Sequence, residues 1–272
     1  MVNKSRVSVV AALFALVSTS VYASAEFVPK TVGNVANGER IFREGKQLVA
    51  HPDAANQPVA AQAAEAQAAI EVPPCLTCHG EKAMGDDNMG TPRLAGQGYT
   101  FLVKQLNDFA SDKRTDTTMF VMNNNAKGLT LTERQDVAAY LSGLNKGEIK
   151  VEGSDLAAVK SMGQTPVGQT HLGKSLAQYG APDRGIPACH SCHGYNARGA
   201  FPIYPALSGQ KYVYLVNQLK KWRDASRAND MMGQMRAVAK KLSDDDIYNV
   251  AAFLTSANRT TGGNTRMPQQ QH

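Results

Sequence analysis

Apolar residues recur at helical spacing in two stretches of the chain that mirror one another. Leu102, Leu106 and Phe109 fall at i, i+4 and i+7, and Leu215, Leu219 and Trp222 repeat that stripe. Farther on, Val137, Tyr140, Leu141 and Leu144 make the buried face of a second helix. Val250, Phe253, Leu254 and Ala257 do the same in the second stretch. Thr132 in one copy and Ser243 in the other are read as the caps of these closing helices, with acidic residues in the first turn. Alternating patterns typical of strands are scarce, so the expected class is all-α.

The mirror extends to residue identity. Residues 94–109 read LAGQGYTFLVKQLNDF and residues 207–222 read LSGQKYVYLVNQLKKW, an offset of 113. The same offset carries Arg114 onto Arg227, Met119 onto Met232, Met122 onto Met235 and Leu129 onto Leu242. Cys75 maps onto Cys189 one residue farther along. A period of this size is that of a domain with its own core, not of a stacked solenoid unit. The chain is read as a tandem duplication.

Two stretches break the symmetry. The first copy has an Ala/Gln-rich insert at about 51–72, expected as a solvated helix or loop, and a linker at 145–169 joins the copies. At the N-terminus, Lys4 and Arg6 precede a short apolar run and an Ala23-Ser24-Ala25 cleavage pattern, so residues 1–25 are read as a cleaved signal peptide. Removal of Lys4 and Arg6 lowers the formal charge from +6 to +4. With no basic cluster interleaved with aromatics, nucleic-acid binding gets no support. The expected organisation is then signal 1–25, domain 26–144, linker 145–169, domain 170–258 and a polar tail at 259–272.

All four cysteines lie in two motifs, Cys75-Leu-Thr-Cys78-His79 and Cys189-His-Ser-Cys192-His193. Two thiols three positions apart on one helical turn can reach the two vinyl groups of a haem, and the histidine that follows can point at the iron. A structural zinc site or a disulfide in each motif would use some of the same residues. Neither accounts for a histidine placed immediately after the pair, twice, with no further cysteine to complete a zinc shell. Two covalently bound haem c groups are expected, with His79 and His193 as iron ligands. For the sixth ligand, His51, His171 and His272 have no repeat counterpart, and His190 sits between its own two cysteines. What repeats is Met-x-x-Met, Met119 with Met122 and Met232 with Met235. A thioether ligand suits a fairly high-potential electron-transfer haem, and the other methionine of each pair is packing.

These residues resemble the dihaem class I c-type cytochromes of the cytochrome c4 type, over nearly all of the mature chain. The resemblance is carried by the two CxxCH motifs, Pro92-Arg-Leu-Ala-Gly-Gln97, Pro205-Ala-Leu-Ser-Gly-Gln210, the two Q-L helices and Met235-Arg-Ala-Val-Ala-Lys-Lys-Leu242-Ser243. It implies two tandem class I cytochrome c domains, each wrapped around one haem. It also implies Met122 and Met235 as axial ligands, seven residues before Leu129 and Leu242, and the carbonyls of Pro92 and Pro205 as partners of the ligating histidines. Two departures matter. Ala177 stands where the first copy has Phe42, so contact between opening and closing helices is expected to be weaker there. Phe101 stands where the second copy has Tyr214, so any hydroxyl hydrogen bond is lost from the first copy.

The functional expectation is a periplasmic carrier, not an enzyme, that passes single electrons between respiratory redox partners. The family implies a cytochrome bc complex or a dehydrogenase as donor and a terminal oxidase as acceptor. Association with a membrane would be peripheral at most. Lys104, Lys113, Lys211, Lys220, Lys221, Lys240 and Lys241 are candidates for docking. The rival is a dihaem peroxidase or sulfur-compound dehydrogenase, or an electron-transfer subunit of a larger dehydrogenase. Equivalent methionines in both copies and the lack of a fifth cysteine argue against catalysis at either iron.

Overall fold

A computed structural model describes residues 33–47, 71–116, 120–144 and 153–258. The expected leader, nearly all of the insert, Met119, His51, His272 and the tail lie outside the described residues.

The first half contains α1 (Val35–Glu44), α2 (Leu76–His79), α3 (Tyr99–Ala110), α4 (Val121–Gly128) and α5 (Leu131–Gly143). After α6 (Leu156–Met162), the second half repeats the series as α7 (Thr170–Tyr179), α8 (Cys189–His193), α9 (Tyr212–Arg223), α10 (Gln234–Ala239) and α11 (Asp244–Ser256). Among the described residues, extended pairing is confined to isolated bridges such as Lys46 with Val72 and Ala181 with Ile186. Each half has its own core. Ile41, Phe42, Leu102, Val137 and Leu141 form one, and Leu176, Leu215, Val250, Phe253 and Leu254 form the other.

The opening and closing helices of each half cross on a glycine. A side chain at Gly38 of α1 would overlap the Asp136 carbonyl of α5, and one at Gly173 of α7 would overlap the Asn249 carbonyl of α11. The carbonyl side chains at those same positions hold the start of the opposing helix. Asp136 accepts from the Asn34 N–H at 2.6 Å, and Asn249 accepts from the Gln169 N–H at 2.6 Å. Backbones this close gain dispersion contacts that no larger residue would permit.

The expected weakness at Ala177 does not materialise at this crossing. In the first half Phe42 stacks against Tyr140 at 5.6 Å between ring centres, and in the second His190 lies 6.0 Å from the Phe253 ring. The residue between the two cysteines of the second motif thus supplies the ring neighbour that Ala177 cannot. Ala177 itself is fully buried.

Two sequence readings need correction. The closing helix of the first half is capped by Thr130, not Thr132: the Thr130 hydroxyl accepts from the Glu133 N–H at 3.2 Å and Glu133 returns a bond to the Thr130 N–H at 2.7 Å. A capping box needs its carboxylate three residues after the cap, and Thr130 satisfies that spacing. Ser243 and Asp246 form the equivalent box at α11. The linker is the second correction, because residues 153–169 are not a free tether. They hold the helix α6, and Val159 on it is buried in the second core. The Ser154 N–H donates to the Thr255 hydroxyl at 2.7 Å and the Tyr212 hydroxyl donates to the Pro166 carbonyl at 2.6 Å.

The two capping carboxylates have the same electrostatics. Burial pushes Glu133 up, but the Thr130 N–H and the Lys46 ammonium 2.9 Å away outweigh it and hold the acid below its ordinary value. Burial likewise raises Asp246, and Arg184 at 2.6 Å with the Ser243 cap brings it down. A carboxylate with a lowered folded-state pKa adds stability that is present above its unfolded value and lost as pH falls through the folded one. Replacing Glu133 by glutamine or Asp246 by asparagine is therefore expected to cost ~1 kcal/mol at pH 7. That cost should shrink towards pH 3, as followed by denaturant unfolding at the two pH values.

Candidate haem sites and the interface between them

Helix α2 carries Cys75 at its cap, then Cys78 and His79 on its single turn, and α8, capped by Ala188, carries Cys189 as its first residue, then Cys192 and His193. The Nδ1 of His79 lies 3.1 Å from the Pro92 carbonyl, and that of His193 lies 3.0 Å from the Pro205 carbonyl. A carbonyl only accepts, so Nδ1 carries the proton in both rings and Nε2 keeps its lone pair. Burial pushes both histidines below their ordinary value, even against the pull of the proline carbonyls. Each ring is therefore neutral and fit to bind a metal. Burial also pushes the Cys75 and Cys189 thiols up to about 11, so these sulfurs suit a neutral bond better than a thiolate.

Cys75, Cys78, His79 and Met122 line one region of a continuous cavity, and Cys189, Cys192, His193 and Met235 line another. Met122 sits in the first turn of α4. The buried Asn123 anchors that helix by donating to the Phe109 and Arg114 carbonyls, both at 2.9 Å. In the second half Arg236 plays the corresponding part through Asp230 at 2.8 Å. Of the alternative methionines, Met232 is 90 % exposed with a left-handed φ of 55° and stands outside the cavity lining. Met119 lies outside the described residues. His190 packs on Phe253 and His171 is exposed, in keeping with neither being a ligand.

The cavity also holds buried cations. Arg114 and Arg227 come from equivalent positions and meet between the halves. Arg114 donates to Gln105 at 2.7 Å and to Gln218 at 3.1 Å, while Arg227 donates to Gln218 at 2.8 Å and to Gln105 at 3.0 Å. Each guanidinium lies over an aromatic ring of its own half, Phe109 at 4.5 Å and Trp222 at 4.2 Å. Burial and the neighbouring Arg114 bring Arg227 down to about 9. The Tyr214 hydroxyl accepts from Arg114 at 3.0 Å, a contact that Phe101 cannot offer on the other side. Apolar walls, paired thiols, neutral histidines and buried guanidinium groups fit two macrocycles that carry apolar rims, vinyl groups and carboxylate side chains.

The chain matches the cytochrome c family over residues 63–145 and again over 173–258. The chain belongs to the cytochrome c family, as a dihaem protein of the cytochrome c4 type. It is 36 % identical to cytochrome c4 of Thiocapsa roseopersicina over 66 % of this chain and 85 % of that protein. It is also 36 % identical to a thiosulfate dehydrogenase electron acceptor of Thiomonas intermedia, over 72 % of this chain and 84 % of that one. Among solved structures, reduced cytochrome c4 from Pseudomonas stutzeri superposes with a TM-score of 0.56 at 31 % identity, over 67 % of this chain and 93 % of that one. Thiosulfate dehydrogenase (TsdBA) from Marichromatium purpuratum superposes with a TM-score of 0.63 at 28 % identity, over 82 % of this chain but 40 % of the other. The cytochrome c4 type carries two covalently bound haem c groups and transfers electrons.

Several residues that shape the sites were not singled out for a role from the sequence. Gln97 and Gln210 close the repeated L-[AS]-G-Q motif and reach across the interface, while Gln105 and Gln218 hold the arginine pair. Their recurrence at the 113-residue offset was the available signal. The lysine reading also changes. Lys211, Lys220 and Lys241 donate to the Gly153 carbonyl, the Tyr248 hydroxyl and the Gly185 carbonyl, and Lys104 pairs with Asp108. These four are engaged within the fold and Lys221 is half-buried, whereas Lys113, Lys240 and Lys241 are exposed.

Proposed function

We propose that the chain is a periplasmic one-electron carrier that accepts electrons from a thiosulfate dehydrogenase and delivers them to a terminal oxidase. Cys75 and Cys78 attach one haem and Cys189 and Cys192 the other. His79 with Met122, and His193 with Met235, are the axial ligands. Bound in this way, each haem supplies reversible one-electron oxidation and reduction of its iron. The protein's part is to hold a neutral imidazole, to exclude water from the rings and to bring two equivalent sites into one cavity.

The observation that carries this reading is the equivalence of the two sites. Each has a proline-oriented histidine and a methionine on a short anchored helix, so neither is built to leave a coordination position open for substrate. Among the described residues no helix is long and apolar enough to cross a membrane. Likeness to electron acceptors of thiosulfate dehydrogenases favours that donor, and likeness to cytochrome c4 keeps a cytochrome bc complex as the second reading.

The test is rapid-mixing reduction of the oxidised dihaem protein. A catalytic thiosulfate dehydrogenase with thiosulfate should reduce both haems within the turnover time of that enzyme, whereas thiosulfate alone should not. Reduction only by a quinol-fed cytochrome bc complex would replace the donor. Turnover of thiosulfate or peroxide by the isolated chain would overturn the carrier reading.

A further inference from the structure

The glutamines that end the two L-[AS]-G-Q motifs reach into the opposite halves, and Gln210 also accepts from the Lys211 N–H of its own half at 2.9 Å. Gln210 accepts from the Arg93 N–H at 2.7 Å and donates to the Arg93 carbonyl at 3.0 Å. Gln97 accepts from the Ala206 N–H at 3.0 Å and donates to the Ala206 carbonyl at 2.6 Å. Both glutamines are buried, and positions 93 and 206, like 97 and 210, are related by the 113-residue offset. The interface is thus a reciprocal pair of amide-to-backbone clamps.

What each clamp grips gives it a consequence. The Arg93 N–H belongs to the same peptide group as the Pro92 carbonyl, and that carbonyl accepts the Nδ1 proton of His79 at 3.1 Å. The Ala206 N–H shares its peptide group with the Pro205 carbonyl, which accepts from His193 at 3.0 Å. A peptide whose N–H is held by a strong acceptor has a more negative carbonyl oxygen, because hydrogen bonds in a chain polarise one another. A more negative oxygen draws harder on the Nδ1 proton and makes the imidazole a more basic ligand. Low local dielectric inside the interface strengthens both links.

We infer that Gln210 and Gln97 are positioning residues that set, each through one peptide group, the ligand strength of the histidine in the opposite half. The inference rests on the reading of His79 and His193 as iron ligands. It makes the docked interface a determinant of both reduction potentials, because each half completes the ligand support of the other.

The sign follows from charge. A more basic imidazole favours ferric over ferrous iron, so removing the acceptor favours the reduced state. Gln210→Leu is expected to raise the reduced-to-oxidised ratio of the first-half haem at fixed solution potential by roughly three- to tenfold. The haem in the mutated half should change far less. Gln97→Leu should do the converse. The readout is redox titration followed by NMR on the holoprotein, using the ligand-methionine methyl signal of each reduced haem, assigned with Met122→His and Met235→His. The Nδ1–H resonance of the histidine in the opposite half should also move, as a merely loosened interface would not require. Should a leucine variant fail to take up haem, Gln210→Met and Gln97→Met keep the side-chain length without the amide. Equal shifts at both haems, shifts confined to the mutated half, or no shift overturns the inference. Absence of the methionine methyl signals or the histidine resonances from the unmutated protein would instead sink the ligand assignment.

Discussion

Replacing Met235 by alanine will remove the weak far-red absorption of methionine sulfur on low-spin ferric iron for one haem and leave the other untouched. Met122→Ala will do the same for the other haem. Each loss should be accompanied by a fall in that haem's potential of a few tenths of a volt, since axial ligands span about 0.8 V and a thioether lies at the high end. Carbon monoxide, which the native reduced protein should not bind, should then bind at one iron per chain. The geometry that singles out Met235 is specific. Its neighbour Met232 is turned out to solvent in a left-handed conformation, whereas Met235 lines the cavity from α10 and is only partly exposed. Met231 also lines the cavity, so Met231→Ala is the necessary control. Loss of the band in Met231→Ala or Met232→Ala, with Met235→Ala unchanged, would show the ligand assignment to be wrong.

The second large effect is expected at a residue with no side chain. Gly38→Val should destabilise the first half by ~3 kcal/mol or more, because the added atoms would occupy the position of the Asp136 carbonyl and force α1 and α5 apart. Separation would also strip the Asp136 carboxylate from the Asn34 N–H and the Asn37 side chain, held at 2.6 and 2.7 Å. Gly173→Val should act in the same way on α7 and α11 through Asn249. Thermal unfolding of the holoprotein, followed separately at the two haems, should show the loss confined at first to the altered half. An unchanged unfolding temperature in either variant would mean that the crossing relaxes at little cost.

Much of this protein is legible in its one-dimensional pattern, for a physical reason. Haem attachment through Cys-x-x-Cys-His is a local geometry, complete within one helical turn, so Cys75 to His79 and Cys189 to His193 announce themselves without tertiary information. Helical stripes are local too, which is why α3, α5, α9 and α11 and the all-α class could be read from spacing. Duplication then makes each half a witness for the other, as with Arg114 and Arg227 or Met122 and Met235.

Other features had no local signal. The cap of α5 is the exception, because Thr130 stands three residues before Glu133 and 113 before Ser243, a local signal that marks it over Thr132. The segment expected as a linker folds onto the second core because Val159, Ser154 and Pro166 find partners up to 101 residues away in sequence. His190 replaces an aromatic partner that Ala177 lacks, a substitution across elements that no single helix pattern encodes.

The sequence by itself determined that there are two haem domains, because CxxCH attachment and helix periodicity depend on neighbours within a few positions, while the choice of Met122 and Met235 over Met119 and Met232 came from family resemblance. Only the tertiary structure decided that each domain completes the other. The bonds of Gln97 to residue 206 and of Gln210 to residue 93 join positions 109 and 117 apart in sequence, and they form only when two finished domains meet face to face.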